Sequence, residues 1–279
     1  MISQGPAPLV PLEVTQPASS ALAAGAGPVR VLGRYRTGVN VRLGERVGHI
    51  STAPISSPVG LRVDRTTLAD LMSCGDRIGP IDTDPATVVP TMITIRNGNE
   101  PDRLVELSSV AGPAVAASWF AVTPDELSAR PAIDRLAIAI LGGDRDALLA
   151  ALDRLIGRGI GLTPSGDDAV VGVLAAAIGA GVLDPRLATS VRDLLDADGR
   201  ALTTAVSLTM LRCAVDGHVS PSLRTLIMAA AEPGTGHDHE LIADVAAHGH
   251  TSGRDALVGV TTLWRQLIRA AAGPELVRS

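Results

Sequence analysis

Along the chain the spacing of apolar residues changes from a period of two to a helical period. Val29, Val31 and Tyr35 alternate with Arg30, Arg34 and Arg36; Val39, Val41 and Leu43 alternate with Asn40 and Arg42. Val59, Leu61 and Val63 alternate with Arg62 and Asp64, and Ile93 and Ile95 continue the theme. Such alternation predicts half-buried strands, here with an arginine-bearing outer face. Pro54, Pro58, Pro80, Pro85 and Pro90 punctuate the loops between them. Residues 29–112 are expected to form a mostly antiparallel β domain. Residues 1–28 read as an arm with a short helix from Ala18 to Ala24, ended by Gly25 and Gly27.

Residues 113–279 read as helical. Asp144 is a good N-cap, followed at helical spacing by Leu148, Leu149, Leu152, Leu155 and Ile156. Asp184-Pro185 pairs an N-cap with proline at the first helical position and opens a helix to about Ala197. Further helices are expected over 200–216, 222–231, 238–247 and 253–271. The helix starting near Ser165 is apolar all round and is expected to be the central, buried one. The fold class is α+β: a mostly antiparallel N-terminal β domain packed on a C-terminal α-helical domain.

Composition removes several chemistries. Of 279 residues, 46% are hydrophobic and 19% charged, as in a soluble globular protein. All 24 basic residues are arginine, so there is no Schiff-base lysine and no GxxxxGK[ST] phosphate loop. Four scattered aromatics and a net charge of −5 argue against nucleic acid as a partner. Cys74 and Cys213 form no CxxC pair, and a reducing cytoplasm is the simplest location. The opening segment has no basic region and is broken by Pro6, Pro8 and Pro11, which makes a poor signal peptide. The longest apolar stretch, Ala169 to Val182, is too short to span a bilayer, so no membrane association is expected.

The candidate chemistry lies in Gly157–Asp168, GRGIGLTPSGDD, immediately before the buried helix. Glycine allows positive φ and close backbone approach, and Ser165 or Thr163 can cap the helix. Free N–H groups at a helix start bind phosphate or carboxylate, which makes the Gly166 backbone a candidate donor. Asp167 and Asp168, in the first turn, complement the helix dipole but repel an anion unless a metal or proton mediates. The plain alternative is a capped core helix with two dipole-stabilising aspartates.

A second segment repeats the first. Gly249–Val260, GHTSGRDALVGV, aligns with Gly161–Val173, GLTPSGDDAVVGV, once Pro164 is deleted. Thr251, Ser252, Gly253, Asp255 and Gly259 then match Thr163, Ser165, Gly166, Asp168 and Gly172. Each glycine lies one turn after its aspartate and permits close packing against another backbone. Two such helix starts suggest two half-motifs facing one polar pocket. Arg254 replaces Asp167 and can pair with a carboxylate or phosphate. The alternative is a duplicated helical hairpin that keeps packing residues only.

His237 and His239 flank Asp238 at an expected helix start, where all three would be solvated, and no third zinc ligand is visible on that face. His250 lies inside the second half-motif and is the first candidate for proton transfer. His49 and His218 look structural.

At Gly161–Asp168 the sequence resembles the AllH family, associated with a three-component oxamate carbamoyltransferase of anaerobic allantoin breakdown. Further similarity lies at Gly38-Val39-Asn40-Val41, Ser57-Pro58-Val59, Thr204 with Ser207, and Gly249–Asp255. The stretch before the motif departs from the family's Gly-Pro-Gly, reading Gly157-Arg158-Gly159-Ile160-Gly161. A buried Arg158 there would serve as a substrate-carboxylate ligand.

The resemblance implies interconversion of oxalurate plus phosphate with oxamate plus carbamoyl phosphate, alongside partner subunits. The expected ligand is a small anion such as phosphate, carbamoyl phosphate or oxamate. Asp168, His250 and Asp255 are then the catalytic candidates. The substrate-binding candidates are Asn40, Arg158, Thr163, Ser165, Gly166 and Asp167, with Thr204, Ser207, Thr251, Ser252, Gly253 and Arg254. Ser165, Asp168, Ser252 and Asp255 should line one pocket, with Thr204 or Ser207 on its wall. No residue is assigned to a resident metal and no cofactor is certain. Two alternatives stand: a metal-assisted enzyme on small amides, with Asp167, Asp168 and Asp255 around Mg2+ or Mn2+, and a noncatalytic binding or scaffold subunit.

Overall fold

The computed structural model describes residues 9–25, 28–95, 99–118, 120, 130–234 and 236–272. The chain divides into two compact units, Met1–Thr91 and Met92–Ser279, each with its own class of secondary structure.

The first unit is built on one mixed sheet. In chain order its elements are β1 (Glu13–Thr15), α1 (Gln16–Ala24), β2 (Val29–Tyr35), β3 (Gly38–Leu43), β4 (Arg46–Ser51), β5 (Gly60–Arg62), α2 (Arg65–Ser73), β6 (Arg77–Ile78) and β7 (Val88–Val89). The strand order is β6-β2-β3-β4-β5-β1-β7, antiparallel except where β4 meets β5 and β1 meets β7. Val39, Val41, Ile50 and Leu61 fill its core. A register shift between Val31 and Gly33 ends the expected alternation in β2, and Tyr35 is exposed. Arg34 is not simply an outer-face charge. Its guanidinium donates to the carbonyls of Leu71, Cys74 and Gly75 and ties down the end of α2. Part of the arm is sheet: β1 pairs with both β5 and β7, and Arg62 holds Glu13 in a two-pronged ion pair. Three residues are too few to show a period. Residues 1–8 of the arm lie outside the described residues.

The second unit is helical: α3 (Pro101–Ala116), α4 (Arg130–Gly142), α5 (Arg145–Leu155), α6 (Ser165–Gly179), α7 (Pro185–Ala197), α8 (Gly199–Leu202), α9 (Ala205–Val215), α10 (Pro221–Ala229), α11 (Asp238–Ala246) and α12 (Ser252–Ala271). The expectation of β structure to residue 112 gives way at its end. Ile93 and Ile95 form no strand; Met92 makes an isolated bridge to His218, and Ile93 N–H bonds Gly217 O. Pro101 then opens α3, whose Leu104, Leu107 and Ala111 face the helical core. Asp144 and Asp184 cap α5 and α7 as expected. The single helix expected over 200–216 is broken at Thr203-Thr204, where the Thr204 hydroxyl caps α9 at Ser207 N–H.

At the centre α6 crosses α12. Every residue of α6 except Ile178 is buried. The crossing is reciprocal. A Cβ on Gly172 would lie 2.0 Å from Ala256 O, and one on Gly259 would lie 2.0 Å from Ala169 O. Gly172 and Gly259, like Ala169 and Ala256, are equivalent positions of the sequence repeat, so the repeat folds as a local two-fold. Each helix start is also pressed on the helix before it: a Cβ on Gly166 would lie 2.0 Å from Leu155 O, and one on Gly253 would lie 1.8 Å from Val245 O.

Asp238 corrects the expectation of a solvated histidine segment. It is buried, and its carboxylate takes a two-pronged ion pair from the buried Arg103 of α3, with Nη2 at 2.7 Å from Oδ1. His237 does remain exposed, bonded to Glu240.

Two stability predictions follow from this packing. Gly172→Ala should cost roughly 1–3 kcal/mol or more, because a backbone carbonyl must move, whereas Gly112→Ala, exposed in α3 with open space around it, should gain about 0.5–1 kcal/mol. Urea unfolding of both variants measures the contrast. Arg103→Met should cost about 3–5 kcal/mol by stranding Asp238, and adding Asp238→Leu should recover much of that loss.

Candidate functional site

The site is assembled by the loops entering α6 and α12. The first loop turns on three glycines with positive φ: Gly157 (76°), Gly159 (117°) and Gly161 (96°). A Cβ on Gly159 would lie 2.6 Å from Ser165 N, so the loop folds back tightly on the helix it precedes. Thr163 closes the loop, and its Oγ1 lies 2.7 Å from Ser252 Oγ at the start of α12. The hydrogen bond joins the two half-motifs, and both hydroxyls are half-buried.

The helix start does not offer the open set of N–H donors that the sequence suggested. A helix leaves four N–H groups, from the N-cap to its third residue, without an intrahelical partner. Here they belong to Pro164–Asp167. Pro164 has none, Gly166 N–H bonds Arg158 O at 2.8 Å, and Asp167 N–H bonds Pro164 O at 2.9 Å. At α12, Gly253 N–H is taken by His248 O. Capping differs as well: the N-cap positions are Pro164 and Thr251, and neither helix has a side-chain cap. Thr163 is turned toward Ser252 instead.

The aspartates divide the work. Asp167 serves the loop: its Oδ1 accepts from Gly157 N–H at 2.8 Å and its Oδ2 accepts from the Thr203 hydroxyl. Burial pushes its pKa up, and Thr203, Ser207 and the Gly157 N–H pull part of the way back. Asp168 and its repeat equivalent Asp255 are 2% and 0% exposed. Burial pushes Asp168 well above an ordinary carboxylate; Ser252 and Thr163 oppose the shift, while Asp255 and Asp167 add to it. Asp168 Oδ2 has no hydrogen-bond partner among the described residues.

Thr163, Asp168, Ser252 and Asp255 thus come together, with Ser165 buried at the same helix start. Ser207 stands beside Asp167 rather than beside this group, and the Thr204 hydroxyl donates to Leu162 O, anchoring the glycine loop. Gly166 and Gly253 act as contact points between helices. Thr251 contributes its carbonyl to Asp255 N–H. Arg254 is half-buried on α12. Two expectations are corrected. Arg158 is exposed, not buried, because the loop uses its backbone carbonyl and leaves the side chain outside. The Mg2+ or Mn2+ triad does not assemble: among the described residues no three His, Cys, Asp or Glu side chains are placed to hold a metal, and Asp167 is turned to the loop. His250 is exposed in the loop before α12.

Asn40 belongs to the first unit. It is buried on β3 opposite His49 of β4, and its Oδ1 lies 2.8 Å from His49 Nδ1. Burial lowers the His49 pKa. Gly38 leaves room for that ring, since a Cβ there would lie 2.8 Å from His49 Nε2.

Sequence reasoning missed Thr203 and Gly157 as the partners that hold Asp167. The doubled threonine inside an otherwise helical pattern was the available signal.

The two helix starts are thus related by a local two-fold, with a hydroxyl bridge beside buried carboxylates. Residues 155–263 match the model of the AllH family, described as oxamate carbamoyltransferase subunit AllH, and the chain is similar to that family over this segment. The matched segment runs from the end of α5 into α12 and contains both half-motifs. No solved structure matches the chain. Among the described residues, no helix is long and apolar enough to cross a membrane.

The Asp168 shift carries a sign. A carboxyl whose folded pKa is raised holds its proton more tightly in the native state than in the unfolded chain. Its protonation therefore supports the fold below the unfolded value, about 4, and that support is lost as pH rises through the folded pKa. Asp168→Asn mimics the neutral form. It should unfold at higher urea than the parent at about pH 8, with the gain shrinking toward about pH 4. An unchanged or lower midpoint at the higher pH would refute the burial argument.

Proposed function

We propose that this chain is an AllH-like subunit of a carbamoyltransferase complex that interconverts oxalurate plus phosphate with oxamate plus carbamoyl phosphate. It binds the small anionic substrate where α6 and α12 begin. The observation that carries this reading is the Thr163–Ser252 bridge, made inside the segment that matches the family and backed by Asp168. In phosphorolysis a phosphate oxygen bonds the carbamoyl carbon, the C–N bond to oxamate breaks, and the departing nitrogen takes a proton. That step needs oriented hydroxyl donors and a group that can hold and pass on a proton, rather than a covalent nucleophile. Ser252 and Thr163 supply the first, and Asp168, which burial pushes well above an ordinary carboxylate, the second. His250, exposed in the loop before α12, stays a candidate for proton transfer.

One observation favours the noncatalytic alternative. Ile160 and Leu162, on the tip of the glycine loop, are 82% and 45% exposed, as suits a surface that meets another subunit.

Reconstitution with the partner subunits separates the readings. Carbamoyl phosphate formation from oxalurate and phosphate should require this chain. Ser252→Ala and Asp168→Asn should each lower the rate about a hundredfold or more while the complex still assembles. Full activity in both variants would leave the chain a binding subunit.

A further inference from the structure

The hydroxyl bridge poses a question of proton counting. Thr163 and Ser252 each carry one hydroxyl proton, and their mutual hydrogen bond uses one of the two. The second has two possible targets: inward to Asp168, or outward from the half-buried edge of the pair. An ionised Asp168 accepts and cannot donate, so it draws that proton inward and leaves only lone pairs facing out. A protonated Asp168 donates to a hydroxyl oxygen instead and releases the second proton outward.

We propose that the Thr163–Ser252 pair is a proton-linked binding site for a carboxylate or carbonyl oxygen of a small ligand, with Asp168 as the group whose proton turns the pair outward. The inference deepens the anion-binding part of the proposed function and rests on it. Its geometry is independent of the helix N–H groups, most of which at α6 are already taken. Asp168 lies behind the pair, 2% exposed, with its Oδ2 unpartnered among the described residues. Among the described residues the charges that act on it are both acidic: Asp255 from α12 and Asp167 from its own helix. Each favours the protonated form, as does burial. Ligand binding and proton uptake are therefore one linked event.

Calorimetric titration of the full chain with oxamate, whose own carboxyl stays ionised, tests this from about pH 5 to about pH 9 in buffers of different ionisation enthalpy. Above the titration of Asp168, affinity should fall about tenfold per pH unit, with uptake of up to one proton. Asp168→Asn, which always presents an N–H donor, should bind with little pH dependence. Ser252→Ala and Thr163→Val should weaken binding about tenfold or more at low pH with unchanged circular dichroism. Affinity independent of pH in the parent chain, or an undiminished pH slope in Asp168→Asn, overturns the proposal. So does failure of oxamate to bind at about pH 5. If that failure comes with full activity of the reconstituted complex, this inference falls and the subunit reading stands.

Discussion

The crossing of α6 and α12 is the constraint on which the rest of the helical unit depends. Helices approach this closely only where side chains are absent, and each supplies a glycine facing the other's backbone carbonyl. The contact is reciprocal because the two helices carry a glycine at the same position of a repeated pattern. The same approach brings Thr163 to Ser252 and encloses Asp168 and Asp255. Packing and site are thus one feature. A wider crossing would let water in to solvate the carboxylates and would separate the two hydroxyls.

Charge burial shows how unevenly the molecule treats its acids. Asp238 is neutralised by Arg103 in a direct two-pronged pair. Asp167 is satisfied by a backbone N–H and a threonine. Asp168 is offered hydroxyls and the repulsion of two other aspartates. A carboxyl left in that position is held in its neutral form more readily than a surface one, and a neutral acid is a donor. Local rules that hold elsewhere in this chain fail here, and such departures mark Asp168 as a candidate functional position.

The sheet unit is ordinary by comparison, yet it too holds a buried polar pair. Asn40 and His49 face each other across β3 and β4, and Gly38 makes the room that the imidazole needs. Asn40 already accepts a bond within the sheet, so any ligand it met would compete with His49 or use its amide N–H groups.

Several features were legible in the residues alone. The strands at Val29, Val39 and Gly60, the caps at Asp144 and Asp184, and helix starts at Ser165 and Ser252 follow from periodicity and capping, which act over a few neighbours. The repeat was legible too, and with it the need for glycine at 172 and 259. What the sequence did not determine were the long-range partners. That Arg158 would lie outside, that Asp238 would be buried on Arg103, and that Thr203 would hold Asp167 depend on which segments meet in space. The helix-start donors illustrate the limit best. The motif predicts a cradle of N–H groups, but carbonyls of the same tight turn take most of them at α6, and a hydroxyl from the other half of the repeat supplies the polar edge instead. Local propensity sets where a helix begins; the backbone that folds against that beginning decides what it has left to bind.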